Sequence, residues 1–263
     1  MAIEIGGLPV CLRTDSPAFL RLLEERYAGF VNPSARPEFE FEVDLVPRGK
    51  ISEEDDVRVR FDSGTWSFER GDFRAEWLPA LRRGRIRQWA NPYSIDAVLR
   101  IVHTLLLARQ GGFLLHAASA VRNGRAFLFS GRSGAGKTTL SRLAPPDVTL
   151  LTDEISYVRP QSEGAASGYR AFGTPFAGEL ARVGENLSAP VAALYFLAQG
   201  PENRLEPVPA AEAARTLLEN ILFFAEDPEL VKLVFQSACE FVSKVPLHRL
   251  VFLPDSRVWE MIR

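Results

Sequence analysis

The sequence predicts an α/β fold, α+β in part, in which a mixed sheet is preceded by a small antiparallel β-rich region. Three observations lead there. Residues 1 to about 90 are dominated by short segments of alternating polarity separated by turn residues, the pattern of strands with one wet face. Beyond residue 110 the strand segments become nearly unbroken apolar runs, interleaved with helix-forming stretches, as in sheets covered on both faces. Between a strand-like and a helix-like segment lies Gly131-Arg132-Ser133-Gly134-Ala135-Gly136-Lys137-Thr138, which fits G-x-x-x-x-G-K-[ST] at every fixed position. The predicted division is residues 1–92 as the β-rich region and 93–263 as the α/β domain.

Along the chain, Asp15 and Ser16 before Pro17 make a helix start, and Phe19, Leu20, Leu23 and Tyr27 repeat at helical spacing until Gly29 and Pro33. Residues 38–45 alternate Glu, Phe, Glu, Phe, Glu, Val, Asp, Leu, the clearest strand in the chain. VRVRF (57–61), TWSFER (65–70), FRAEWL (73–78) and RIRQWA (85–90) are separated by turn signals and read as an antiparallel meander. Ser94 is a candidate cap for a helix carrying Ile95, Val98, Leu99, Val102, Leu105 and Leu106, ended by Gly111-Gly112. FLLHAASAV (113–121) and RAFLFSG (125–131) bracket the hairpin turn Arg122-Asn123-Gly124. Residues 148–155, 191–198 and 247–254 read as interior strands, 209–223 and 228–245 as helices, and 161–168 as a flexible loop.

Composition bounds the function. With 46% hydrophobic residues the chain can bury a core, and 31 basic against 33 acidic residues leave a formal charge of -2. No global field of the kind that draws nucleic acid or anionic membrane exists, so neither is expected as a partner. The first residues lack a basic start, and no stretch approaches the roughly 18 apolar residues of a membrane span; a soluble, cytoplasmic protein is expected. Cys11 and Cys239 lie far apart with no metal-type spacing, which predicts two reduced, buried thiols.

The glycine-rich segment carries the chemistry. Glycines let the backbone curl so that successive N–H groups face a phosphate, and the following helix start adds partial positive charge. Gly131, Ser133, Gly134, Ala135, Gly136, Lys137, Thr138 and Thr139 are therefore the expected nucleotide contacts, with Lys137 reaching the β- and γ-phosphates and the Thr138 hydroxyl on Mg²⁺. Such a site needs a carboxylate as well, and the strand at 148–151 runs into Asp153-Glu154. Only 15 residues separate Lys137 from Asp153, so the helix after the loop must be about two turns long. That spacing, with no N-K-x-D base-reading motif, argues against a GTPase switch.

LLHAASAV, GRSGAGKTT, LLTDEISYV and FGTPFAGE, spread over about residues 110–255, together resemble the catalytic domain of HPr kinase/phosphorylase and its relatives. The relatives include HPr-kinase-like proteins of peptide biosynthetic clusters and, more distantly, ATP-dependent phosphoenolpyruvate carboxykinase. The resemblance implies that His116 approaches the reacting phosphate, that Asp153 and Glu154 act as base and metal ligand, and that Glu179 is a second metal or substrate carboxylate. From the residues alone, a core histidine in an apolar strand is the rival reading of His116, and Glu179 is equally readable as a helix-start glutamate complementing the dipole. His103 reads as structural, and His248 belongs to no motif. Two departures stand out: Thr138 replaces the family's serine after the P-loop lysine, and the ending LHRLVFLPDSRVWEMIR lacks its basic partner-binding loop. The missing loop argues against HPr itself as substrate and against phosphorylase activity.

The expected function is transfer of the γ-phosphoryl group of ATP, with Mg²⁺, to a hydroxyl of a peptide, protein or small molecule, with Asp153, His116 and Lys137 as catalytic groups. Residues 1–92 are the expected acceptor-recognition region. Self-association into a homo-oligomer is left open. The alternative is a regulatory module that binds nucleotide and transfers nothing.

Overall fold

The computed structural model describes residues 1–48, 56–161, 168–176, 178 and 184–262. The chain forms two compact units: Met1–Leu106 with Phe223–Val231, and Leu107–Leu222 with Lys232–Arg263.

The first unit holds strands β1 (Ala2–Ile5), β2 (Leu8–Arg13), β3 (Phe39–Leu45), β4 (Arg58–Asp62), β5 (Thr65–Arg70), β6 (Phe73–Leu78) and β7 (Arg83–Gln88) in one sheet of order β1-β2-β3-β7-β6-β5-β4. The hairpins from β4 to β7 are antiparallel as expected. The sheet as a whole is not: β3 pairs in parallel with both β2 and β7. Helix α1 (Pro17–Arg26) makes the crossover from β2 to β3 that a parallel pair needs, and no periodicity within a strand reveals its neighbours' direction. The β1–β2 hairpin, turning at Gly6-Gly7 with positive φ, was hidden by its short strands.

Ser16 caps α1 by accepting from the Phe19 N–H at 3.3 Å, and Phe19 and Leu23 face inward. Helix α2 (Pro92–Arg109) begins earlier than expected. Asn91, not Ser94, caps it: Asn91 Oδ1 accepts from the Tyr93 N–H at 3.1 Å, with Pro92 in the first helical position. Ser94 instead donates to Asp72 Oδ2 at 2.7 Å. Burial would raise the Asp72 carboxyl, but hydrogen bonds from Arg70 and Ser94 outweigh it and hold it below the usual range. On the same helix, buried Asp96 accepts from the Arg26 guanidinium and the Tyr27 hydroxyl. Burial first, then the Asp96 charge, pushes the Tyr27 phenol well above its ordinary value.

The second unit holds β8 (Phe113–Arg122), β9 (Arg125–Ser130), α3 (Lys137–Arg142), β10 (Thr149–Thr152), β11 (Ile155–Pro160), β12 (Tyr169–Phe172), β13 (Ser188–Gln199), β14 (Arg204–Pro207), α4 (Ala210–Asn220), β15 (Ile221–Leu222) and β16 (Leu247–Phe252). Helix α5 (Pro228–Lys244) contributes all but its first turn. The nine strands form one mixed sheet. Its pairings β8–β11–β12–β13–β9–β8 run back to their start, so the sheet curls on itself. The β8–β9 hairpin turns at Asn123-Gly124, both at positive φ, as the sequence predicts.

One core lies between strands and helices: Leu115, Leu128, Leu194 and Phe196 with Ala213 and Leu217 of α4 and Phe241 of α5. A second gathers Phe127, Phe129, Tyr195 and Phe252 around Leu140 of α3 and Trp259. Trp259 is almost fully buried, and its Nε1 donates to the Leu140 carbonyl at 3.2 Å, which fixes the end of α3. Neither thiol is buried as expected: Cys11 is half-buried and Cys239 exposed. On β2 the core-facing positions are Val10 and Leu12, and alternation turns Cys11 the other way. On α5 the inward stripe runs Leu230, Val234, Ala238, Phe241, and Cys239 falls just outside it. The expected loop at 161–168 lies, from 162 to 167, outside the described residues. Among the described residues no helix is long and apolar enough to cross a membrane.

His103 of α2 is wholly buried, and burial pushes its imidazole down to about 4 from 6.5. Between those values the unfolded chain binds the proton and the folded chain does not, so stability falls as pH drops from 6.5 toward 4, by on the order of 3 kcal/mol. Chemical denaturation across that range should show the slope in the wild type and a flatter profile in His103→Leu.

Candidate functional site

The glycine-rich segment leaves the carboxyl end of β9 and runs into α3. Its glycines are required by geometry. Gly134 and Gly136 sit at φ of 78° and 107°, where side chains are strained. A Cβ on Gly136 would lie 2.5 Å from the Phe252 ring, and one on Gly131 2.7 Å from Ala135 Cβ. Within the loop the Ala135 N–H donates to the Arg132 carbonyl at 3.0 Å, and Lys137 Nζ donates to the Gly131 carbonyl at 2.8 Å. From β13, Gln199 Nε2 donates to the Gly134 carbonyl at 2.7 Å. Gln199 stands at the end of an expected strand, and nothing in the sequence marks it as a brace for the loop.

The acid pair sits in the short break between β10 and β11. Thr152 Oγ1 accepts from the N–H groups of Glu154 and Ile155, both at 3.3 Å, which shapes the turn. Thr174 bridges it to the following segment, donating to the Ile155 carbonyl at 2.7 Å and lying 3.2 Å from Thr152 Oγ1. Asp153 is only 5% exposed, and its Oδ1 accepts from the Gly178 N–H at 2.9 Å. A Cβ on Gly178 would fall 2.8 Å from Glu154 Cβ, so a glycine is needed there too. Glu179, the next residue, lies outside the described residues.

Register brings the parts together. On β8, His116 stands opposite Ile155 of β11, and Ala117 opposite Ser130 of β9. The Ser130 hydroxyl donates to the His116 carbonyl at 3.0 Å. The His116 residue is half-buried rather than in the core, and it lines a cavity of ≈ 260 Å³. Ser133, Gly134, Gly136, Lys137, Thr138 and Thr139 line the same cavity, as do Asp153 and Glu154. Gly131 and Ala135 line a separate cavity of ≈ 230 Å³ together with Arg132. Of the other histidines, His103 is in the first unit, and the His248 ring stacks on Tyr195 at 5.9 Å.

Among the described residues no group of three or more His, Cys, Asp and Glu could form a protein-only metal cage. Among the residues lining the cavity are the Thr138 hydroxyl and two carboxylates, Asp153 and Glu154. That set suits a hard cation such as Mg²⁺, which takes one or two carboxylates and completes its shell with phosphate and water.

A family model described as SynChlorMet cassette protein ScmC matches residues 90–263, well over half of the chain. The chain belongs to the ScmC family. The ScmC match spans the glycine-rich loop, His116 and the acid pair. Curated proteins give no match to this ScmC-family chain. Among solved structures it is similar to the HPr(Ser) kinase/phosphatase from Coxiella burnetii, at 14% identity over 47% of this chain and 87% of that one, with a TM-score of 0.24. At that score the likeness is weak and does not establish a shared fold.

Because Gly136 combines positive φ with the Phe252 ring, Gly136→Ala should destabilise the second unit by about 1–3 kcal/mol. Adding Phe252→Leu should recover part of the loss, since it opens space but leaves the backbone strain. Thermal melting of the two variants checks both.

Proposed function

We propose that the chain is an ATP- and Mg²⁺-dependent phosphotransferase that moves the γ-phosphoryl group to a hydroxyl. The observation that carries the reading is the single cavity shared by the P-loop residues Lys137 and Thr138, the acid pair Asp153-Glu154 and His116. Each has a part. Backbone N–H groups of the loop cradle the β-phosphate, and Lys137, held at the Gly131 carbonyl, lies within the loop where it can meet the β- and γ-phosphates. Thr138 with Asp153 or Glu154 would hold Mg²⁺, which supplies neutralisation of the charge that develops as the phosphoryl group leaves. Asp153 takes the proton of the acceptor hydroxyl, and the Gly178 N–H fixes its carboxylate for that role. His116 stands at the reacting phosphate as a hydrogen-bond donor. Catalysis of this kind is mostly positioning and charge stabilisation, which a rigid sheet edge and a braced loop provide.

Lys137→Ala should reduce label transfer from γ-labelled ATP by ~10³ or more while the melting curve stays unchanged. Asp153→Asn should lose ~10²–10⁴ in transfer with nucleotide affinity retained. Wild-type protein that binds nucleotide tightly and transfers label to no hydroxyl would instead support a regulatory nucleotide-binding module.

A further inference from the structure

We infer that Gln199 is a positioning residue that sets the affinity of the glycine-rich loop for nucleotide phosphates and leaves the rate of transfer unchanged. The inference rests on the nucleotide-binding part of the reading above and needs no transfer step. Its starting point is the apex of the loop. The Ala135 N–H closes a turn on the Arg132 carbonyl at 3.0 Å, with Gly134 in the third position at φ of 78°. That conformation suits a glycine, but a glycine adopts negative φ as readily as positive. A Cβ on Gly134 would meet nothing within 4 Å, and the residue is exposed, so packing does not hold it in place. Gly134 also lines the cavity assigned to the phosphates. Rotation there would turn a carbonyl oxygen, with its negative end, toward the place of a phosphate.

Gln199 opposes that rotation. Its Nε2 donates to the Gly134 carbonyl at 2.7 Å, and Gln199 itself is not among the residues lining the phosphate cavity. The carbonyl is thus held toward a neutral donor outside the cavity. The placement of Gln199 is set by the sheet: it is registered opposite Phe252 on the parallel strand β16, and the Gly200 N–H donates to the Phe252 carbonyl at 3.2 Å. Side chains of such a pair lie on one face. Phe252 abuts Gly136, where a Cβ would fall 2.5 Å from its ring, while Gln199 holds Gly134. Between the two glycines, Ala135 packs against the core that contains Phe252. One strand pair therefore fixes the segment Gly134-Ala135-Gly136 at both ends, one end by exclusion and the other by a hydrogen bond.

The consequence is specific. Loop N–H groups hold the β-phosphate in the triphosphate and in the diphosphate alike, so loosening the loop weakens both and changes no interaction unique to the transition state. The test uses the full chain with Mg²⁺, and measures Kd for ADP and for a non-hydrolysable ATP analogue by calorimetry, together with label transfer and melting. Gln199→Leu, similar in size and equally uncharged, should raise both Kd values ~5- to 10-fold and raise KM for ATP to match, with kcat within ~2-fold. Its melting curve should stay unchanged, because Gln199 is exposed. Gln199→Lys keeps a donor and should return both Kd values to within ~3-fold of the wild type, measured at about 1 M salt where its charge is screened. Unaltered Kd values in Gln199→Leu overturn the inference, as does Gln199→Lys binding as weakly as Gln199→Leu, or a fall in kcat at constant Kd. A wild type that binds both nucleotides and transfers no label removes the phosphotransferase reading but leaves this inference to be decided by the two variants. A wild type that binds neither nucleotide overturns both.

Discussion

The hydrogen-bond ladder of β8 is the constraint from which the site follows. Its first half pairs with β11, and its second half pairs with β10 on that side and with β9 on the other. Thr152 is registered to Ser119 and Ile155 to His116, so the two residues between, Asp153 and Glu154, are forced to turn beside the middle of β8. On the other side Ser130, the last residue before the glycine-rich loop, is registered to Ala117. Loop and acids are thus held about two strand spacings apart, roughly 10 Å, by backbone bonds alone. His116 stands between them because it belongs to the strand that both use.

Around this ladder the loop is shaped mainly by exclusion. Gly136 lies against Phe252, itself the end of β16, so the loop's curl depends on a residue more than a hundred positions away. Gln199 braces the Gly134 carbonyl from the end of β13, and the two strands, together with β9, run parallel and finish on the same side. Sites in α/β sheets sit at carboxyl ends of strands because loops there are set by the rigid strands beneath. The short helix α3 is secured by Trp259, whose ring meets Phe129 edge-on at 5.5 Å and whose carbonyl accepts from Arg122.

Much of the fold was legible because local physics sets it. Ser16 caps α1, Asn123-Gly124 turns the β8–β9 hairpin, and Phe41 and Val43 point inward from β3 as alternation demands. Local rules failed where two residues competed for one role. Ser94 and Asn91 can both cap a helix, and Pro92 decided for Asn91 by fixing the first helical residue, which freed Ser94 to bond Asp72. The Arg26–Asp96–Tyr27 cluster joins residues some seventy apart and has no local signature. Its buried charge is tolerable only because each carboxylate oxygen is hydrogen-bonded, a condition met by packing rather than by sequence.

What the sequence by itself determined was the glycine-rich loop, the short helix after it, the acid pair and the strands that carry them. Those features depend on neighbours in the chain: positive φ at glycine, apolar runs for buried strands, and a 15-residue span too short for a longer helix. Only the tertiary structure decided that β3 has parallel neighbours, that Cys239 faces outward, and that Gln199 and Gly178 hold the loop and the acid. Those depend on strand order and register, which are set by the summed burial of both faces of the sheet and have no local sequence signature.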